Sequence, residues 1–274
     1  MESKEFLIDY YKPIYSGLVA LAEDVQKYAL LLPEKLPHME EIYLQSNNDY
    51  SDTEQKRIRY YREAFSYKFY LAELHTEQLW SLNYSLKTPP LLQNVLENLF
   101  DNHKCSDVQI ILPCLCFEGF IIQSAAFLDF YMLFLCSIFK IEETKRLSGF
   151  KFKKALRCVN KKTNDERAKV VEDYFSDKIH SGNIDIKLFT KYWGDSLKVL
   201  RDSLVHRDSR HPDFCNDTSL LQDIGSWPEK EKNLPVARFC QDIGNDMIYM
   251  VNELVKTVYG LEYKPGPYKE GMFS

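Results

Sequence analysis

Residues 199 to 210 read VLRDSLVHRDSR, gathering three arginines, two aspartates and a histidine into one short stretch. On a helical wheel at about 100° per residue, with Arg201 at the origin, Asp202 falls near ~100°, Asp195 near ~120°, His206 near ~140° and Lys198 near ~60°. Trp193, Leu197, Leu200 and Leu204 gather between about 260° and 320°. The expected helix is therefore amphipathic, with an apolar stripe packed inward and a polar arc facing out. Asp202 and His206 lie four residues apart, where a carboxylate orients an imidazole or raises its pKa. An imidazole that moves a proton and a guanidinium that grips phosphate form a minimal kit for cleaving RNA without a metal. In that reaction the ribose 2′-hydroxyl attacks the adjacent phosphate. One histidine is short of the acid and base such chemistry prefers, so two copies meeting along the polar arc, as a homodimer, are expected to complete the site. A salt-bridged, solvated helix face is the competing explanation of the same residues.

Arg201, Asp202 and His206 are thus the candidate catalytic residues. Lys198 on the same arc, and Arg207, Arg210 and His211 around the helix end, are candidate RNA contacts or ordinary solubilising charges. His180 closes an earlier helix, where a cation suits the dipole. His38, His75 and His103 show no metal-ligand spacing, and the cysteines show none either, since only Cys114 and Cys116 are close together. No cofactor and no metal are expected. The chain has no Gly-x-x-x-x-Gly-Lys phosphate loop, no Gly-x-Ser-x-Gly elbow and no His-Glu-x-x-His helix.

The run RDSLVH resembles the Arg-polar-x-x-x-His motif of the HEPN superfamily, in which Arg is followed by Asn, Asp or His and, four to six residues after Arg, by His near a helix end. The resemblance covers about residues 112 to 260. It implies a small helical bundle that dimerises with its motifs at the interface, and metal-independent endoribonuclease activity of the kind found in toxin–antitoxin, abortive-infection and CRISPR-associated antiviral defence. It also implies that Arg201 and His206 are catalytic, that Asp202 supports them, and that an antitoxin or sensor protein is a candidate partner. Members often add an acidic residue from an earlier helix; Glu118 and Asp129 both qualify, and no motif chooses between them. Some members are inactive, so a helical module that binds RNA, a nucleotide or a protein without cutting is the alternative.

The elements that must position these residues read as helices. Apolar spacing predicts helices over residues 14–32 and 53–86, the latter with Asp52 as N-cap and an aromatic stripe of core type, and over 89–100, opened by Pro89 and Pro90. Residues 114–141 form the most apolar segment, but Glu118, Gln123, Ser124 and Asp129 interrupt it, which favours a buried bundle helix over a membrane span. Asp129 in such surroundings needs a partner. Asn164 or Asp165 is expected to cap the next helix, the motif helix is expected from about Ile186 to Asp208, and a last helix over Val236–Tyr259 ends at Gly260. Only short runs such as 108–112 resemble strands, so the fold class is all-α: a helical bundle whose C-terminal part is HEPN-like, with additional helices before it. The expected divisions are residues 1–110, 111–262 and a tail at 263–274.

Charge is uneven. The chain carries −5 overall, yet residues 140–169 hold 11 lysines and arginines against four acids, so the remainder carries −12. Such a local excess attracts phosphates even on an acidic protein. Seven cysteines with no Cys-x-x-Cys pair and an N-terminus lacking a signal-peptide pattern lead us to expect a cytoplasmic protein with no membrane association.

Overall fold

Ser51 and Glu54 close a capping box. The Glu54 carboxylate accepts from the Ser51 backbone N–H at 2.8 Å, and the Ser51 hydroxyl accepts from the Glu54 N–H at 3.4 Å. The first long helix, Asp52–Lys87, therefore starts one residue after Ser51, which takes the capping role expected of Asp52. The computed structural model describes Leu36 and residues 39–47, 49–87, 105–141, 148–181, 192–205 and 236–260. These are all-α: α1 is Glu40–Ser46, α2 Asp52–Lys87, α3 Cys105–Ile138, α4 Gly149–Thr163, α5 Glu166–Tyr174, α6 Trp193–Val205 and α7 Val236–Tyr259. A π-helical turn, Phe175–Ile179, continues α5. No strand occurs among the described residues, and the run 108–112 lies inside α3, which begins nine residues before the apolar segment and passes through Pro113. The helices expected over 14–32 and 89–100 fall outside the described residues.

The chain divides after Leu36 into two compact units, and every helix above belongs to the second. Residue 110 falls within α3, so the division expected there runs through a helix rather than a linker. The widest helix pairing is α2 against α3, and α7 packs on α2, α3 and α5. Phe65 of α2 meets Phe127, Tyr131 and Phe134 of α3 edge-on, with ring centroids 5.2–5.8 Å apart, within the range aromatic quadrupoles favour. The aromatic stripe divides: Phe65 and Phe69 are buried, whereas Tyr60 and Tyr67 face water. Leu115–Ile138 is long and apolar enough to cross a membrane by length and composition, and two-thirds of its best window is buried within the fold.

Two arginines stitch the bundle. Arg62, buried among these rings, bonds Ser66, lies 3.4 Å from Glu40 and stacks 4.9 Å above Phe65, the company a buried cation requires. Arg167 forks onto Asp165 at 2.8 and 3.0 Å and reaches the Val258 carbonyl and the Tyr43 hydroxyl, tying α5 to α7 and α1. Of the two candidates for the cap of α5, Asp165 takes the role by accepting from the Arg167 N–H, whereas Asn164 instead ends α4 in the left-handed conformation.

Phe65→Ala is expected to cost about 3–5 kcal/mol of unfolding free energy in a denaturant titration, while Tyr67→Ala stays within about 0.5 kcal/mol of the parent.

Candidate functional site

Helix α6 carries the motif, and its burial changes along its length. Trp193, Leu197 and Leu200 are buried, as the wheel requires, and α6 packs on α3 and the π-helical turn. Gly194 permits that approach, since a Cβ there would lie 2.5 Å from Ile179 Cγ2 and 3.0 Å from Leu128 Cδ2. The helix begins at Trp193, after the non-helical Tyr192, rather than near Ile186. Asp195 does not share the outward arc: it is 4% exposed. The polar side of α6 reaches water only from Lys198 onward.

Arg201 lies at that open end. Its Nε and Nη2 donate to Asp202 Oδ1 at 3.3 and 3.2 Å, and its Nη1 reaches Asp129 Oδ2 on α3 at 3.5 Å. The guanidinium thus sits between carboxylates from two helices. These contacts are long for charged hydrogen bonds, which close to about 2.7–2.9 Å, and the three side chains are 35%, 49% and 52% exposed for Arg201, Asp202 and Asp129. They orient the guanidinium through contacts long enough to be exchanged. Burial of the inner part of the Asp129 side chain pushes its pKa up, opposed by the positive charge of Arg201 and by His180. Glu118 lies three turns earlier on α3, about 16 Å along the axis, so Asp129 is the acid brought to Arg201. Lys198 is exposed one turn before Arg201. His206, Arg207, Arg210 and His211 lie outside the described residues.

One constellation has no counterpart in the sequence reading. The π-helical turn closes with the His180 N–H donating to the Phe175 carbonyl at 2.8 Å, and this turns the imidazole toward α6. His180 Nδ1 meets Asp195 Oδ1 at 2.9 Å, while Asp195 Oδ2 accepts from the Ser181 N–H and hydroxyl at 2.8 and 2.7 Å. A carboxylate acceptor requires the proton on Nδ1. Burial works to raise the Asp195 pKa, but the bonds from His180 and Ser181 together outweigh it and hold the group below its ordinary value. The buried Lys153 of α4 donates to the His180 carbonyl at 2.8 Å; burial lowers its pKa against the pull of Asp195 and Glu172. His180 Nε2 is buried with no hydrogen-bond partner, and the ring lies so close to Gly149 that a Cβ there would be 2.1 Å from Cδ2.

His180 is therefore a positioning residue that clamps the start of α6, and its sealed Nε2 is not presented to a substrate. His180 does close the helix, as its position implies, and its ring bonds Asp195 as well. The signal in the sequence was slight: an aspartate in the first turn of a helix, which ordinarily marks a solvated, dipole-compensating residue. Among the described residues no three His, Cys, Asp or Glu side chains are grouped as metal ligands. The chain matches no family model, no curated protein and no solved structure.

Gly149→Ala is expected to lower the thermal midpoint, and His180→Ala to cost less in that background than in the parent, a coupling of about 0.5–3 kcal/mol in a double-mutant cycle. Because Asp195 stays ionised to lower pH in the folded state than in the unfolded chain, its stabilisation is complete above about pH 4 and is lost as pH falls through its depressed folded value. Urea titrations across that range should show the stability gap between the parent and Asp195→Asn closing as the pH falls.

Proposed function

We propose that this chain is a metal-independent endoribonuclease of the HEPN type, acting as a homodimer. Arg201 holds the scissile phosphate, His206 moves the proton, and Asp202 with Asp129 orients the guanidinium. The observation that carries this reading is the placement of Arg201: it stands at the solvent-facing end of a helix whose other end is clamped, oriented by two carboxylates through long, exchangeable contacts. The RDSLVH resemblance supplies the reaction class, and the need for a second imidazole supplies the homodimer.

In this scheme the 2′-hydroxyl oxygen attacks the neighbouring phosphorus as its proton passes to a base. The phosphorus–O5′ bond breaks, and the leaving oxygen takes a proton from an acid. The products are a 2′,3′-cyclic phosphate and a 5′-hydroxyl. His206 from one copy serves as base and its counterpart from the second copy as acid. The guanidinium fork neutralises the charge that grows on the non-bridging oxygens. A phosphate oxygen approaching Arg201 displaces the longest contact first, that to Asp129. The resemblance further suggests a toxin or antiviral defence effector held in check by an antitoxin or sensor protein.

A second reading has its own observation. Two carboxylates outnumber the one arginine they surround, which weakens the case for charge stabilisation in a cleavage step and favours a helical module that binds RNA, a nucleotide or a protein without cutting.

With RNA in EDTA, Arg201→Ala should reduce cleavage about 10²–10³-fold and His206→Ala about 10²–10⁴-fold; undiminished cleavage in both variants removes the site assignment. Asp129 has a raised folded pKa, so its ionised form weighs against the fold as pH rises through that value. Asp129→Asn should accordingly keep or raise the thermal midpoint at neutral pH while slowing cleavage, a split that a purely structural residue does not produce.

A further inference from the structure

Helix α4 reads GFKFKKALRCVNKKT, with six lysines and arginines and no acid. Lys153 is turned inward to the His180 carbonyl. The other five, Lys151, Lys154, Arg157, Lys161 and Lys162, are exposed, and at about 100° per residue they fall within an arc of about 140°. They extend about 16 Å along the helix at about 1.5 Å per residue, the axial span of four to five phosphates at about 3.4 Å each in a helical strand. Arg157 is held by Glu172 at 3.0 Å through Nε, yet its side chain remains 60% exposed. Phe150 stands at the N-terminal end of the same arc, 65% exposed.

We infer that this face of α4 is a docking track for the phosphate backbone of single-stranded RNA; the choice of RNA rests on the proposed function. Charge complementarity sets the class of partner, since a single-sign stripe on a chain of net charge −5 selects a polyanion. The fold decides against a bilayer. A helix that lies in a membrane surface offers it an apolar face, whereas the apolar face of α4, Phe152 and Leu156, is fully buried, leaving one exposed aromatic beside five cations. Exposed aromatics next to a cationic track stack bases in single-strand binders. The helix that carries the track also supports the site. On the face opposite the cations, Gly149 covers the His180 ring, His180 bonds Asp195, and Asp195 lies six residues before Arg201 on α6, about 9 Å along the axis. A strand held at the Phe150 end is attached to the segment that fixes the motif helix.

The test is fluorescence anisotropy on the full chain with a 2′-O-methyl RNA 20-mer, which cannot be cut by 2′-oxygen attack, at several salt concentrations. The variants are K151E/K154E/K161E/K162E and the matching four Lys→Arg changes, each checked for unchanged helicity. Four lost phosphate contacts should flatten the log–log salt dependence by about three units, at about 0.7 per contact on a single strand, and weaken binding at least tenfold at low salt. The arginine variant should bind like the parent. Equal binding by the parent and the glutamate variant overturns the track while leaving the nuclease reading intact. Binding of the parent to phosphatidylserine vesicles but not to the RNA overturns it in favour of a membrane surface. Absence of cleavage of the unmodified RNA of the same sequence by a parent that binds through α4 counts against the nuclease reading alone.

Discussion

A carboxylate withdrawn from water persists only when donors fill its oxygens, and Asp195 imposes that condition on the candidate site. Its two oxygens take up His180 Nδ1 and both donors of Ser181, so the first turn of α6 cannot move without leaving a buried charge unpaired. Such a loss costs far more than an exposed ion pair contributes. The close approaches at Gly149 and Gly194 depend on the same arrangement, because the imidazole and the π-helical turn need space that a side chain would fill.

Fixing one end of α6 defines where the other end stands. Beyond the clamp, Trp193, Leu197 and Leu200 are buried against the bundle, and Arg201 emerges beside Asp129 of α3. Rigid support combined with loose contacts at the guanidinium is the arrangement a phosphate-binding arginine needs, since orientation is set beforehand while the donors stay exchangeable. The π-helical turn belongs to this design. One extra residue in the helical repeat brings His180 to α6, and such turns occur often at functional positions.

The all-α class, the buried face of α6, the cap at Asp165 and the final helix were legible in apolar spacing and terminal residues alone, because each is decided within one or two turns of chain. Asp129 was recognisable as a carboxylate in need of a partner, yet Glu118 had an equal claim until the α3–α6 packing placed Arg201 beside one of them. The wheel misplaced Asp195 because it assigns an angle and not a depth: the polar side of α6 is buried near its start and open near its end, and tertiary packing alone sets that gradient. The His180 clamp was invisible for a related reason, as its parts come from a π-helical turn and from a helix beginning a dozen residues later. Helix α3 begins nine residues before the apolar segment and continues through Pro113, so the apolar run did not mark its start.

The claim on which the account turns is that Arg201 and His206 act together on a ribose–phosphate link without a metal. The most direct measurement is the chemistry of the ends left on RNA after incubation with the purified chain in EDTA. The account predicts 2′,3′-cyclic phosphate and 5′-hydroxyl termini, absent with Arg201→Ala. Termini bearing a 5′-phosphate, or intact RNA at every protein concentration, contradict it.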